Sequence, residues 1–377
     1  MPTASSNRYG RCERMADKIP KYQEIADWLK ENIRSGTFKS GEKLISEPSL
    51  CEKFGISRHT ARSAIAILEQ EGFVIRKQGS GTYVNHFLSD AGRKKIGVLM
   101  TYADDYIFPP IISGIEATLS KKGHSMSLSL TQNKVENERS QLLALLSDDI
   151  DGLIVEAVKS ALPSLNLDIY REFSARNIPI LFINTYHSPL DCNYIINNDV
   201  EGGRLAARHL IENGHKKIGG IFKHDDMQGH YRYKGFVRGV YEQNLGLHEN
   251  HIVWFSTETL DSLFAPDQFE LLLNRLCGVS GVVCYNDQVA VKLIQACARA
   301  GVNVPQDLSV VSFDNSNLSQ ITSIPLSSIT HPGPEMGRLA TESLLKIIDS
   351  PRYNVHHIYT PQLIVRDSVL LKANSYT

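Results

Sequence analysis

The chain has 377 residues, 42% apolar and 21% charged, which leaves room for two or three folded units and excludes wholesale disorder, collagen and coiled coil. The net charge of −1 conceals a division: residues 1–95 hold 17 Lys and Arg against 11 Asp and Glu, a net of +6, and the remainder carries −7. A basic head on an acidic body directs the head towards a polyanion, because clustered cations release counterions from a phosphate backbone. The polar N-terminus has no apolar signal core, no long apolar run suits a membrane span, and the six cysteines form no CxxC pair. A cytoplasmic setting is expected, with no membrane partner and no disulfide or metal framework.

Residues 1–17 read as a polar extension. From Lys21, the positions Tyr22, Ile25, Trp28 or Leu29, and Ile33 recur at helical spacing and stop at Ser35-Gly36, which predicts a first helix. Ser46 can cap a short second helix, Glu47 suits its dipole, and Pro48 is tolerated in its first turn. Gly55 ends that helix, and Ser57 can cap a third whose Ala61, Ala64, Ile65 and Leu68 form one buried stripe. The first turn of this third helix then exposes Arg58, His59, Thr60 and Arg62. Two helices joined by a tight glycine turn fit a helix-turn-helix that puts these side chains against base edges. Phe73–Lys77 and Thr82–Val84 flank Gln78-Gly79-Ser80-Gly81, a hairpin wing whose small tip can approach a groove, Gln78 towards bases and Lys77 towards phosphate. Singly, capped basic helix starts and glycine hairpin tips are ordinary surface features; their order is what points to a duplex.

The runs Leu44-Ile45-Ser46-Glu47-xx-Leu50, Phe54-Gly55-Ile56-Ser57-Arg58-xx-Thr60-Ala61-Arg62 and Gly79-xx-Thr82-Tyr83-Val84 resemble the GntR-type winged helix, over residues 18–85. One departure is Ile45, where that family usually has Pro. The resemblance implies double-stranded operator DNA as partner. It implies base or phosphate contacts for Arg58, Thr60, Arg62, Gln78 and Gly79, beside His59 and Lys77, with Lys21 and Glu47 as further candidates.

Residues 86–94 read as a linker, and Lys95–Met100 as a buried parallel strand. A helical stretch, Ile111 to Lys122, follows. Gly152–Val155, Ile178–Ile183, Ile218–Phe222, Gly281–Cys284 and Leu308–Phe313 are strand-like, with helical segments between. Such alternation predicts an α/β fold of parallel sheets flanked by helices, with length for two lobes. Ligands of such sheets sit beyond the carboxyl ends of the strands. The residues there are Tyr102, Asp104, Asp105, Tyr106, Glu156, Asn184, Lys223, Asp225, Asn286, Asp287, Asp314 and Asn315. Carboxylates, amides and cations beside aromatic rings suit a sugar, whose hydroxyls need paired donors and acceptors. Polar loops and Asx caps would give a similar list without any ligand.

Asp199-Val200-xx-Gly203, Arg232-xx-Gly235-Phe236, Asn286-Asp287-xx-Ala290 and Val304-Pro305-xx-Leu308-Ser309-Val310-Val311-xx-Phe313-Asp314 resemble the LacI/GalR effector domain, akin to periplasmic sugar-binding proteins, over nearly all of 95–370 within a domain of 95–377. The resemblance implies a two-lobed, dimerising body with a monosaccharide effector. It places Glu156, Asn184, Arg232, Asn286 and Asp314 at the cleft, Arg232 foremost because a guanidinium can donate in a fixed fork. A GntR-type head on such a body resembles bacterial arabinose-responsive repressors, which implies a homodimer released from its operator by L-arabinose and no cofactor. Activation or corepression by another pentose or hexose would use the same parts. An enzyme is disfavoured because no P-loop, GxSxG, HExxH or complete dinucleotide fingerprint occurs. A transport component would call for a secretory signal in place of the basic head.

Overall fold

The computed structural model describes residues 20–77, 79–85, 93–104 and 107–372. The 1–17 extension, Gln78, most of the linker, Asp105 and Tyr106 therefore lie outside the described residues. The chain divides into two units, 1–93 and 94–377.

In the first unit, α1 (Lys21–Arg34) is followed by α2 (Glu47–Phe54), whose first turn carries Pro48 and whose end is closed by Gly55 at φ 61°. A left-handed residue here favours glycine and lets the chain turn at once into the next helix. The Ser57 hydroxyl accepts the Thr60 backbone N–H at 3.2 Å and starts α3 (Arg58–Gln70). Leu29, Leu50, Ala61, Ala64, Ile65 and Leu68 form the core these helices share. β1 (Val74–Lys77) and β2 (Gly81–Val84) pair antiparallel, with Lys77 opposite Gly81, and their buried ends Val74 and Val84 belong to the same core.

The second unit has two lobes. The first begins with β3 (Lys95–Met100), α4 (Phe108–Lys121), β4 (Ser125–Leu130), α5 (Val135–Leu146), β5 (Gly152–Val155), α6 (Leu167–Ala175), β6 (Ile180–Ile183) and β7 (Asn193–Asn197). The chain crosses into the second lobe with α7 (Asp199–Glu212), β8 (Ile218–Lys223), α8 (Met227–Glu242), β9 (Ile252–Phe255), α9 (Leu260–Leu263) and α10 (Pro266–Arg275). There follow β10 (Gly281–Cys284), α11 (Asp287–Arg299), β11 (Ser309–Asp314), α12 (Leu318–Ile321) and β12 (Ser327–Thr330). It returns to the first lobe as α13 (Pro334–Asp349) and β13 (His356–Tyr359), then crosses a third time to β14 (Leu363–Ile364). The first sheet runs β13-β7-β6-β5-β3-β4, all parallel; the second runs β14-β12-β11-β10-β8-β9, with only β14 antiparallel.

Two boundaries differ from the sequence expectation by more than one residue. Helix α4 starts at Phe108 instead of Ile111, because Pro109 and Pro110 fall in the first turn, where a missing N–H costs nothing. Strand β6 starts at Ile180 instead of Ile178, just after Pro179.

Glycines set how closely α7 and α8 approach. A Cβ on Gly235 would overlap the Val200 carbonyl oxygen, and one on Gly203 would overlap the Arg232 carbonyl oxygen. The two backbones thus touch beside Asp199 and Arg232, and any side chain at the crossing would force them apart. Gly235→Ala is expected to lower stability by about 1–3 kcal/mol through this overpacking. Chemical denaturation monitored by circular dichroism measures it; an unchanged midpoint would show that the helices can separate freely.

Candidate DNA interface and ligand cavity

On the first unit, Arg58 and His59 are exposed on the opening turn of α3, Arg62 one turn on, and Thr60 half-buried beside the Ser57 hydroxyl at 2.9 Å. Lys21, Lys77 and Gly79 are also exposed, and the Lys77 ammonium lies 4.9 Å from the Tyr83 ring centre. Glu47 departs from a free base reader. Its carboxylate accepts from Arg62 Nη2 at 3.2 Å, and Arg76 Nη2 stands 3.7 Å away, so it ties α3 and the wing to the start of α2.

In the second unit a cavity of about 270 Å³ lies between the lobes. Thr101, Tyr102, Phe108, Asn133 and Glu156 line it from the first lobe; Lys223, Asp226, Gln228, Arg232, Tyr285, Asn286 and Asp314 line it from the second. Its size is at the small end for ligand pockets.

Arg232 is its anchor. Only 1% exposed, it donates from Nε to Asp199 Oδ1 at 2.8 Å, from Nη2 to Asp314 Oδ1 at 3.2 Å and from Nη1 to the Tyr285 carbonyl at 2.5 Å. Its guanidinium lies 4.8 Å from the Tyr285 ring centre and 4.4 Å from that of Phe313, which adds cation–π attraction in place of water. Burial raises the Asp199 carboxyl to about 6 even beside this cation. Asp314 reaches the cavity from a backbone turned to φ 91°, a conformation strained for a non-glycine residue and concentrated at functional sites. Asn286 caps α11 through its Oδ1, which accepts Val289 N–H at 2.9 Å. Gln228 Nε2 is buried with no hydrogen-bond partner among the described residues, although it borders the cavity.

Glu156 faces these groups across the cavity. Its carboxylate accepts from the Thr101 hydroxyl, from the Thr101 N–H at 3.1 Å and from Asn184 Nδ2 at 2.9 Å. Asn184 itself is not at the cavity wall: it stands behind Glu156, its backbone at φ 62°, and its Oδ1 is 2.9 Å from His331 Nε2. Asp287, at the end of the fifth predicted strand, is likewise turned inward, where its carboxylate accepts from Ser312, Ser316 and Ser328 at 2.5–2.8 Å. Asn133, Gln228 and Tyr285 escaped the sequence reading. The first follows an edge strand that was not identified, Gln228 lies one helical turn back from Arg232, and Tyr285 reads as the end of an apolar run.

The lobes also meet directly beside the cavity. Asn133 Nδ2 donates to Thr257 Oγ1 at 2.6 Å, and Ser160 Oγ donates to Asp226 Oδ1 at 2.9 Å. Lys159 Nζ pairs with Glu258 Oε1 at 2.5 Å. Burial would raise the Asp226 carboxyl, but Lys223, Ser160 and Tyr285 together hold it below its ordinary value.

Burial pushes the Glu156 carboxyl up from 4.5 to about 7, against the three donors that favour its charged form. The folded protein therefore keeps a proton that the unfolded chain loses, so this group's contribution to stability falls as pH rises from about 4.5 to 7. Glu156→Gln removes that titration. The variant's stability relative to the parent should climb across this window and level off above pH 7; urea midpoints at pH 5, 6, 7 and 8 measure it, and a decline with pH would contradict the assignment.

A family model of gntR-family bacterial regulatory proteins matches residues 21–84, and one of periplasmic binding protein-like domains matches 207–369. The chain is 36% identical to the arabinose metabolism transcriptional repressor of Halalkalibacterium halodurans over 92% of its own length and 96% of that protein. It is also 36% identical to the repressor of the same description from Geobacillus stearothermophilus, over 93% and 98% of the two chains. The solved structure of transcription regulator CcpA of Lactococcus lactis covers 74% of this chain and 99% of its own, with a TM-score of 0.65 and 25% identity. A winged helix-turn-helix head, a two-lobed body and this likeness along nearly the whole chain make it a DNA-binding regulator and not an enzyme: it belongs to the family of arabinose metabolism transcriptional repressors.

Proposed function

We propose that this repressor binds a two-fold operator as a homodimer and that L-arabinose, held in the interlobe cavity, releases it. The observation that carries the reading is the wall of that cavity. The Arg232 guanidinium, the carboxylates of Glu156, Asp226 and Asp314, the unpartnered Gln228 Nε2 and the Tyr102 and Tyr285 rings converge on a space suited to one small, polyhydroxylated molecule. Arg232, Asp314, Asn286, Lys223 and Glu156 hold the sugar in this reading, with Tyr102 against a C–H face; Asn184 acts from behind Glu156. Asp105 and Tyr106 keep the role the resemblance gives them. Residues 18–85 form the DNA-binding domain, 86–94 the linker and 95–377 the effector and dimerisation domain.

On the head, Arg58, His59 and Thr60 meet base edges and Arg62 is aimed by Glu47. Lys21, Lys77 and Gly79 lie against phosphates, and Gln78 keeps the base-reading role the resemblance implies. The sugar acts because it binds one lobe arrangement better than the other, and DNA the reverse. No helix among the described residues is long and apolar enough to cross a membrane.

Operator titration by mobility shift with a panel of pentoses and hexoses tests this. L-arabinose should weaken operator binding, and an unchanged affinity with every sugar would refute induction. Arg58→Ala should cost about 1–3 kcal/mol of operator affinity and leave sugar binding intact. Arg232→Ala should cost about 2–5 kcal/mol of sugar affinity, much of it from buried carboxylates left without their cation, and leave operator binding intact. Calorimetry and mobility shift on both variants separate the two; loss of both activities in both would contradict the modular assignment.

A further inference from the structure

Asn184 and His331 form a path from the cavity to the hinge that the effector role alone does not require. The lobes are joined by three crossings, between β7 and α7, between β12 and α13, and between β13 and β14. His331 sits on the second, immediately after β12. Its Nδ1 accepts the Gly333 N–H at 3.1 Å on that same crossing. This fixes the tautomer: Nε2 carries the hydrogen and donates to Asn184 Oδ1 at 2.9 Å. Asn184 Nδ2 in turn donates to Glu156 Oε1 at 2.9 Å, and Glu156 lines the cavity.

Every donor in this chain points the same way, from the crossing towards the carboxylate. Asn184 belongs to the first lobe, at the end of β6, whereas His331 leaves the second lobe's sheet. Their hydrogen bond is thus one that a change of lobe angle must stretch or reset. The same crossing is tied to the first by Asn197 Nδ2, which donates to the Thr330 carbonyl at 3.1 Å. Glu156 and Asn184 are 6% and 2% exposed, so water is poorly placed to replace a broken link.

We propose that Asn184 and His331 are positioning residues that transmit occupancy at Glu156 to the interlobe crossing, and so set how strongly sugar binding changes operator affinity. The proposal rests on the reading of the cavity as the arabinose site. It separates two quantities that a residue of simple structural importance would move together: how well the sugar binds, and how much that binding matters to DNA.

The test compares His331→Phe, which fills the space without the donor, with His331→Gln, which restores an N–H, in the full-length protein. L-arabinose affinity is measured by calorimetry without DNA, and operator affinity by mobility shift with and without saturating L-arabinose. His331→Phe should change sugar affinity by less than about threefold but reduce the sugar-dependent ratio of operator affinities at least about tenfold, while His331→Gln stays within about threefold of the parent ratio. Asn184→Ser cuts the same chain without added bulk; whatever it does to sugar affinity, its sugar-dependent ratio of operator affinities should fall at least about tenfold, which keeps the test open if the Phe variant fails to fold. A parental ratio in His331→Phe or Asn184→Ser, or a ratio as low in His331→Gln as in His331→Phe, would overturn the relay. A parent protein that ignores every sugar would instead refute the effector reading beneath it.

Discussion

The body of this repressor is organised around one buried cation. A guanidinium removed from water is tolerated only where charge and hydrogen bonds replace its hydration. Arg232 obtains these from three elements: Asp199 on α7, the carbonyl and ring of Tyr285 after β10, and Asp314 with the Phe313 ring at the end of β11. These elements can converge only because α7 and α8 touch backbone to backbone at Gly203 and Gly235. The glycine crossing, the ion pairs and the cavity wall are therefore one feature: widening the helix contact would strand a charge. The cluster also sets two carboxylates against a single cation, and burial, helped by repulsion from Asp314, raises Asp199 to about 6. A neutral molecule rich in hydroxyls can accept from the guanidinium and donate to Asp314 without adding charge, which suits such a site better than an anion does.

The head works by the opposite physics. Its cations stay in water at the surface, where each contributes little until a phosphate backbone arrives. Glu47 makes sense in this setting as an organiser of cations. By binding Arg62 and approaching Arg76 it holds the recognition helix and the wing in one frame. The body's excess of negative charge disfavours contact between its own surface and the duplex, so binding is left to the head.

Much of this was legible in the sequence wherever a local rule dictates the outcome. Ser57 as a cap, Gly55 as a left-handed stop and the Ala61–Leu68 stripe follow from the geometry of a single helix, and the structure has each of them. Arg232 was legible only through the family resemblance that the Arg232-xx-Gly235-Phe236 motif carries. What escaped depends on contacts distant in sequence. Asn184 and Asp287 stand at strand ends, where ligand residues are expected, yet a left-handed backbone at Asn184 and three serines around Asp287 turn them away from the cavity. The short strands β7, β12 and β13 carry little periodicity of their own. Their places are set by the sheet that receives them, and so the three crossings were invisible until the topology was known.

Whether the sugar can govern the lobe angle depends on what else holds the lobes together. The direct polar contacts beside the cavity are individually modest: Asn133 with Thr257, Ser160 with Asp226 and the Met227 N–H, the Ala161 N–H with the Asp225 carbonyl, and Lys159 with a Glu258 whose side chain is 58% exposed. Solvated ion pairs of that kind contribute roughly 0–1 kcal/mol. A clamp fastened by a large dry interface would stay shut regardless of ligand, because a ligand shifts an equilibrium only by its differential affinity for the two states. Here that differential is concentrated where the lobes share polar groups, with Glu156 on one side and Arg232, Asp314 and Gln228 on the other. Any molecule that satisfies both walls at once gains only in the arrangement that brings them together, and the weakness of the surrounding contacts lets that gain decide the conformation.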